Sequence, residues 1–409
     1  MKTEIYDDIE AIDPHEWDSL NPEAELFHTY HFLKALQKSR VEDADMYFLV
    51  IKDEDRMVGT AVLSAFTIHL DLFINVQSLT RLIKKLFPHL FKTRVLFCGT
   101  PISAAHKNIQ AMQYARTSVY KAVAATMEGI AVKAKANTLI FKEFLPVDLQ
   151  YSDTLLQQGY FCGYSIPSTW MPVKYERYND YLKSMRHNFR RQVIASLKKA
   201  GMEFPVVSNN ISTFNITGKP VIRYISKEEI TGKQFYIYYL SVMSRTAVKL
   251  ETLNEVFFEN VFAVLKDELK LIAFMYNSEI ICVFAFTIHK GVLNFLWTGK
   301  KHNKDAFDSY HNLLNALVEI AIENRCEKIV LGQTSYYPKQ RIGACTEDRF
   351  IYVRSRRPLI HAILKKLNPW IFPHIKIPML NVFKNQSDVY KGETASARVG
   401  AYAPVSENR

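Results

Sequence analysis

One pentapeptide, Ala-Phe-Thr-Ile-His, occurs twice in this chain, at Ala65–His69 and at Ala285–His289. Three further pairs of segments follow in the same order in each half. These pairs are Cys98-Gly99 with Thr298-Gly299, the run from Tyr120 to Phe141 with the run from Tyr310 to Leu331, and Gly159 with Gly343. Such ordered similarity indicates a chain built from two similar domains. Functional residues are therefore expected at equivalent places in the two halves.

Composition excludes several classes of protein. The chain has 409 residues, of which 48% are hydrophobic, so it can bury two ordinary cores. It contains no run of about 18 consecutive apolar residues, which argues against a membrane-spanning helix. Its first residues lack the apolar core of a signal peptide. The five cysteines show no C-x-x-C spacing, which favours a reducing cytoplasm and argues against a disulfide framework or a metal site.

Positive charge is concentrated in three segments. The chain carries 52 basic and 41 acidic side chains, a formal net charge of +11. Residues 72–127, 181–202 and 349–387 contain no acidic residue and together hold 22 of the 52 Lys and Arg. Surfaces of this kind attract nucleic acid, anionic lipid or a nucleotide-bearing cosubstrate. The alternative is a solvated surface whose counter-charges lie elsewhere in the fold.

The order of predicted elements is the same in both halves. Antiparallel strands lead to a further strand, a helix, another strand and a closing strand. In the first half these are strands at Met46–Ile51, Gly59–Leu70 and Arg94–Cys98, a helix over Thr117–Ala136, and strands at Thr138–Phe144 and Tyr160–Val173. In the second half they are strands at Leu269–Met275, Glu279–His289 and Val292–Thr298, a helix over Ser309–Asn324 that Asp308 or Ser309 can cap, and strands at Lys328–Leu331 and Arg349–Val353. Each strand–helix–strand unit must be a right-handed crossover between parallel strands.

A cationic helix is predicted over Tyr181–Ala200, where apolar residues recur at three- and four-residue spacing and Gly201 provides a C-cap. Its basic residues are expected to form an exposed polyanion-binding face, and they are Arg186, Arg190, Arg191, Lys198 and Lys199. Two more basic amphipathic elements are predicted, a helix over Val76–Lys92 and the segment Leu359–Phe372. Either could seat the protein on a membrane, and packing onto the neighbouring domain is the alternative. The small, polar residues of 391–409 predict a disordered tail.

Two stretches carry a resemblance to a known family. Ser168–Val173 followed by Tyr181–Gly201 is similar to a strand leading into a basic "R-x-x-x-R" helix that ends in Lys-x-Gly. Tyr310–Ala344 is similar to a "Y…G…Y…K-x-R-x-G-A" segment. Both are features of the Fem peptidyltransferases and the Fem-like peptidoglycan biosynthesis/recognition acyltransferases. The resemblance implies a mixed α/β chain of two tandem GNAT-like domains, residues 1–167 and 168–355, each a mixed sheet with one parallel crossover helix. A basic amphipathic extension, residues 356–390, would follow.

A GNAT-like fold implies where an acyl donor would bind. The parallel strands splay apart there, and their unpaired backbone N–H groups can bind the donor or an oxyanion. In the second half this location predicts donor contacts from Trp297, Thr298, Ser309 and Tyr310. Phosphate contacts are expected from Lys339 and Arg341, for which surface solvation is the alternative. The first-half equivalents are Phe97-Cys98 and Phe141–Glu143.

The donor is expected to be a cosubstrate, with no cofactor bound permanently. Residues 301–308 and 102–117 precede the two crossover helices and contain no glycine. Bulky side chains there would block a close approach of the backbone to phosphate, which puts acetyl-CoA in doubt. The Fem resemblance implies an aminoacyl-tRNA donor, and an acyl-CoA or acyl carrier thioester stays open.

Amide formation requires a group that removes a proton from the acceptor amine. Glu143, at the end of an apolar strand, is the first candidate, and Gln333 is its neutral equivalent in the second half. Pairing of Glu143 with Lys142 or a loop arginine is the alternative. Tyr336 could donate to the developing charge, although such tyrosines are often packing residues.

The sequence therefore predicts an acyltransferase that transfers an acyl or aminoacyl group from a large carrier to an amine. The acceptor would be a small molecule or a lipid-linked precursor, and the protein would act in the cytoplasm or at the inner membrane surface. The alternative is a decayed, non-catalytic GNAT pair that binds RNA or anionic membrane. DNA binding is not expected, because no helix-turn-helix or zinc signature is present.

Overall fold

A single mixed sheet of 14 strands forms the frame of the molecule. The computed structural model describes residues 1–21, 25–69, 92–102, 106–203, 207–208, 218–246, 251–301 and 306–390. Its strands are β1 Lys2–Tyr6, β2 Asp45–Asp53, β3 Arg56–His69, β4 Lys92–Cys98, β5 Ile109–Ala111, β6 Thr138–Phe144, β7 Phe161–Pro172, β8 Val207–Ser208, β9 Val221–Ile225, β10 Lys270–Tyr276, β11 Glu279–His289, β12 Val292–Lys300, β13 Lys328–Gln333 and β14 Cys345–Ser355.

The α-helices pack on both faces of this sheet. They are α1 Pro14–Ser19, α2 Tyr30–Ser39, α3 Arg116–Lys133, α4 Leu149–Ser152, α5 Tyr178–Ser184, α6 His187–Lys199, α7 Gly232–Met243, α8 Glu255–Leu265, α9 Ser309–Glu323, α10 Tyr336–Arg341, α11 Pro358–Lys366, α12 Asn368–Ile371 and α13 Gln386–Val389. The predicted helix over Val76–Lys92 and the predicted disordered tail lie outside the described residues.

The two halves repeat one topology. In the first half β2, β3 and β4 are antiparallel, and α3 crosses over to β6, which pairs with β4 in parallel. In the second half β10, β11 and β12 are antiparallel, and α9 crosses over to β13, parallel to β12. Both copies of the pentapeptide lie on the middle strand, Ala65–His69 on β3 and Ala285–His289 on β11. The predicted tandem GNAT-like arrangement is thus confirmed.

The closing strands of the two halves are exchanged. β14, from the second half, pairs with β6 of the first half, and β7 pairs with β13 of the second. β7 and β14 also pair with each other, so the sheet runs without a break through both halves. The predicted boundary between residues 167 and 168 falls inside β7. The exchange covers the edges that β6 and β13 would otherwise expose.

Helices α7 and α8 were not predicted, although their N-terminal caps are visible in the sequence. Thr231 and Gln234 form a capping box, and the Asn254 side chain accepts from the backbone N–H of Phe257. Buried aromatic side chains of α8 pack against α2 of the first half, for example Phe257 against Phe32 with ring centroids 6.4 Å apart. This contact joins the two halves on one face of the sheet.

The predicted helix over Tyr181–Ala200 is two helices. Met185 and Arg186 have extended backbone between α5 and α6, and Met185 forms a bridge with Phe383. The predicted C-cap is correct, since Gly201 has φ 65° and its N–H donates to Lys198 O. The break occurs because the chain must pass over the segment around Phe383, a long-range packing requirement that periodicity does not encode.

Candidate functional site

The parallel strands of the second half separate and open a cavity. β12 and β13 pair only over Val292–Asn294 and Lys328–Val330, after which β12 stays with β11 and β13 stays with β7. The gap leads into a cavity of about 1130 Å³. Its walls come from β12, the end of β13, α10, α7 and residues 25–27. Its size and its place at a topological gap suit a substrate site.

In the first half β4 and β6 pair as far as Cys98 and Phe141, where β4 ends, and the space beyond is filled by the protein's own side chains. Lys142 extends across it, and its Nζ donates to the carbonyl of Ile102 at 2.9 Å. A Cβ atom on Gly99 would lie only 2.5 Å from Lys142 Cε, which shows how closely the lysine fits. The candidates Phe97 and Cys98 therefore lie beside an occupied gap, and the open site belongs to the second half.

Glu143 and Gln333, predicted as equivalents, contact each other at the centre of the sheet. Glu143 lies within a register shift between β6 and β14, and Gln333 follows a register shift between β13 and β7. The Gln333 amide Nε2 donates to Glu143 Oε2 at 3.2 Å and to the carbonyl of Ile166 at 2.7 Å. Burial raises the pKa of the Glu143 carboxyl above its ordinary value. Register shifts re-aim side chains, and here they bring two equivalent residues together.

Among the described residues, the Glu143 carboxylate makes no hydrogen bond or ion pair with the partners predicted as alternatives, although the charges of Lys142 and Arg349 lower its pKa against the effect of burial. Lys142 donates to Ile102 O, and the nearby Arg349 donates to the backbone carbonyl of Glu143 at 3.3 Å and to Glu347. Glu143 is also absent from the cavity wall, which Gln333 does line. The carboxylate therefore reaches the cavity through the Gln333 amide.

Buried polar atoms in the cavity wall that make no hydrogen bond to the residues that the structure describes include Gln333 Oε1, Thr298 Oγ1 and His106 Nδ1. Because Glu143 and Ile166 hold the nitrogen of the Gln333 amide, its oxygen is left as an acceptor. Buried polar atoms without partners are rare in native proteins and mark places where water or a ligand binds.

Lys339 is buried in the cavity wall, contrary to the solvated alternative. Its Nζ donates to the backbone carbonyls of Gln333 and Thr334, each at 2.8 Å. Burial lowers the pKa of Lys339 from 10.5 to about 7. In the neutral amine both N–H groups are used by these two carbonyls, and the lone pair stays available.

The other predicted donor contacts divide into two groups. Trp297 and Tyr310 line the cavity with Thr298. Ser309 is fully buried outside the cavity wall, and Arg341 donates to Gln192 Oε1 on α6 at 3.0 Å. The structure therefore does not bring Arg341 together with Lys339, because residues two positions apart on a helix point to opposite sides of it.

Tyr336 lines the cavity, but its hydroxyl is already engaged. It donates to the carbonyl of Pro167 at 2.9 Å, and burial raises its pKa to about 12.

Asp308, predicted as a helix cap, occupies the N-cap position of α9 without a side-chain cap bond. It has φ 54° and pairs with Lys199 at 3.5 Å instead.

Sequence reasoning missed His106 and Arg349, which also line the cavity. The His106 ring stacks on Phe27 with centroids 4.9 Å apart, and burial lowers its pKa well below 6.5, so the imidazole is neutral. Arg349 donates to Ser168 Oγ at 3.0 Å and joins β14 to β7. Arg349 was detectable as the first residue of an acid-free segment, whereas no local pattern distinguishes His106.

The predicted basic face is largely on the surface of α6. Arg191, Lys198 and Lys199 are exposed and Arg190 is half-buried. Arg186 precedes the helix, and its Nε donates to the carbonyl of Phe383 at 3.2 Å. Through the Lys199–Asp308 and Arg341–Gln192 contacts, α6 borders the N-terminus of α9 and the end of α10.

Within the described ranges no three His, Cys, Asp or Glu side chains are grouped so that they could hold a metal ion. No helix there is long and apolar enough to cross a bilayer.

Comparison with known proteins was made on sequence and on structure. A family model described as FemAB-like, peptidoglycan biosynthesis/recognition, matches residues 8–302. The crystal structure of FemX is 10% identical, with 89% of this chain and 100% of that chain covered and a TM-score of 0.56. A conserved protein of unknown function from Bacteroides thetaiotaomicron is 10% identical, with 87% and 100% covered and a TM-score of 0.51. These similarities establish a shared fold. No curated protein sequence matches the chain.

Proposed function

Since this chain belongs to the FemAB-like family of peptidoglycan biosynthesis and recognition proteins, we propose that it is an acyltransferase that forms an amide. The acyl or aminoacyl group would come from a large carrier and the amine from an acceptor that enters the second-half cavity. The observation that carries this proposal is the open gap between β12 and β13, beside which Gln333 Oε1 and Thr298 Oγ1 have no hydrogen-bond partner among the described residues. Family and fold both support a transferase.

Gln333 is suited to orient the acceptor amine. Its amide oxygen can accept one N–H of that amine, while Glu143 and Ile166 prevent the amide from turning over. Glu143 is then a positioning residue that acts through Gln333. This role replaces the predicted proton abstraction by Glu143, because its carboxylate lies behind Gln333.

Lys339 is suited to accept the proton that the amine loses. With a pKa of about 7, the Lys339 amine is partly neutral at neutral pH. Its two N–H groups donate to backbone carbonyls, so its lone pair can accept a proton. The amine nitrogen would attack the acyl carbon, the new N–C bond would form, and the C–O or C–S bond to the carrier would break. The released proton would pass to Lys339 and then to the leaving oxygen or sulfur. The phosphate contact inferred for Lys339 from the sequence stays a prediction.

An aminoacyl-tRNA is the donor that the surface supports best. The exposed cations of α6 lie next to the N-terminus of α9, on the side of the molecule where the donor gap is found in this fold. An acyl-CoA or carrier thioester is the competing donor and would need fewer phosphate contacts. The acceptor would be a small-molecule amine or a lipid-linked precursor. The protein would act in the cytoplasm or at the inner membrane surface.

Single-turnover transfer from a radiolabelled aminoacyl-tRNA pool, with peptidoglycan precursors as acceptors, tests the proposal. The parent protein should release deacylated tRNA and form a labelled amide, and Lys339→Met should reduce the rate by ~100- to 10,000-fold. Glu323→Gln, an exposed glutamate on α9, is the control variant. Tight tRNA binding with no transfer to any acceptor, and none from acyl-CoA, would favour the non-catalytic alternative.

A further inference from the structure

The C-terminal helix α11 has two apolar faces, and only one of them is packed. His361 and Leu364 face the sheet, where the His361 ring lies 5.6 Å from that of Phe161. Leu359, Ile360, Ile363 and Leu367 recur at helical spacing on the other side and are exposed, as is Trp370 on α12. Leu359 is 75% exposed and Trp370 is 83% exposed. We refer to these five exposed residues as the apolar stripe.

Basic side chains surround the apolar stripe. Arg357, Lys365, Lys366 and Lys376 are exposed, and the sequence has no acidic residue from 349 to 387. Arg354 and Arg356 of the same segment instead pair with Glu128, at 2.9 and 3.6 Å. The surface thus combines projecting apolar side chains with four exposed cations.

We propose that the apolar stripe docks on the surface of a bilayer that contains anionic lipid. Apolar side chains that project from a surface helix, flanked by Lys and Arg, are the combination that inserts at the lipid headgroup boundary. The alternative considered from the sequence, packing of this segment onto the neighbouring domain, accounts for His361 and Leu364, but no described residue covers the stripe. A two-fold dimer through the stripe would bring the same cations of both copies together, which disfavours a second copy as the occupant.

The stripe lies close in the chain to the rim of the cavity. Ile375 lines the cavity. The segment that joins Trp370 to Ile375 is anchored to the sheet through His374. The His374 ring stacks on Tyr164 with centroids 4.2 Å apart, and its Nε2 lies 3.2 Å from the Asp348 carboxylate. Docking would therefore place the cavity rim near the headgroups. The docking itself does not rest on the proposed reaction.

Partition of the full chain onto vesicles tests the proposal. The probes are phosphatidylcholine vesicles with and without phosphatidylglycerol, read by cosedimentation and by tryptophan emission, since Trp370 is far more exposed than the buried Trp17 and Trp170. We expect binding to the anionic vesicles only, a blue shift of the emission, and weakening by salt. Leu359→Ser with Ile363→Ser, and separately Lys365→Glu with Lys366→Glu, should each reduce the partition coefficient by about tenfold or more.

Two matched changes serve as controls. Val132→Ser removes an exposed apolar residue on α3, and Lys270→Glu reverses an exposed charge on β10. Both should leave vesicle binding unchanged. Lack of binding by the parent, or equal binding by the stripe variants and the controls, would overturn the proposal. So would a dimer that the stripe variants abolish in the absence of vesicle binding. None of these outcomes bears on amide formation, which is measured separately.

Discussion

The side chains of Gln333 and Glu143 show how a duplicated fold can use one position in two ways. Both end the second parallel strand of their half, and a carboxylate in one half holds the amide of the other. Their equivalence was predictable from the 190-residue offset that relates the two halves. The contact between Gln333 and Glu143 was not predictable from the sequence. It depends on the exchange of closing strands, which joins β6 and β13 into one sheet through β14 and β7.

Glu143→Gln separates the positioning role from proton abstraction. Glutamine is nearly isosteric, but its amide can also donate, so Gln333 is no longer held in one orientation. We expect single-turnover transfer to fall by about tenfold, with the pH dependence unmoved. Glu323→Gln is again the control. A loss of ~100- to 10,000-fold together with a lost pH limb would instead identify Glu143 as the base.

Lys339 should impose a pH dependence on stability. Its pKa is about 7 in the folded protein and 10.5 in its ordinary state. Between these values the unfolded chain binds more protons than the folded one, so the free energy of unfolding should rise as pH increases through this window. Lys339→Met should reduce that rise, measured by urea denaturation at several pH values, and the part that remains comes from buried groups such as Lys142, whose pKa is also lowered by burial. The exposed Lys270→Met should retain it. If the Lys339→Met variant kept the parental slope, Lys339 would be excluded as its origin.

At the scale of elements, helices and strands with strong periodicity were predictable and turns between them were not. The predicted helix over Ser309–Asn324 is α9, and the predicted strand Glu279–His289 is β11. The cationic helix was predicted as continuous because its apolar residues keep helical spacing across Met185. The break there is caused by a bridge to Phe383, a residue far away in the sequence.

The basic face of α6 should bind a polyanion through separate phosphate contacts. Arg191→Glu with Lys198→Glu changes two exposed residues, so thermal stability should stay nearly unchanged. Affinity for tRNA should fall, and the slope of log affinity against log salt should become shallower by about 1 for each lost contact. Lys270→Glu provides the same kind of charge reversal away from α6. Parent binding that is insensitive to salt would mean that this face is merely solvated.

At the scale of the molecule, the exchanged strands make the two halves one folding unit. The duplication was predictable from the repeated segments, but the exchange was not, since long-range packing decides which strand closes each half. β14 belongs to the second half, yet its Tyr352 is fully buried in the first-half core. Its ring lies 5.4 Å from that of Phe144, and its hydroxyl contacts Asp153 and Ser152.

Tyr352→Ala tests this coupling, because it removes from a second-half strand a side chain that fills the first-half core. We expect a loss of ~3 to 5 kcal/mol in the free energy of unfolding, the cost of a large aromatic cavity. The residue probes of unfolding are Trp17, in the core shared by α2 and α8, and Trp170, in the second-half core. The chain has four tryptophans, so each probe is read with the other three replaced by Phe, and both should report the same transition, shifted equally by Tyr352→Ala. Tyr337→Ala, an exposed tyrosine on α10, should shift neither. Two separate transitions, of which only the Trp17 signal moves, would show that the halves unfold independently despite the shared sheet.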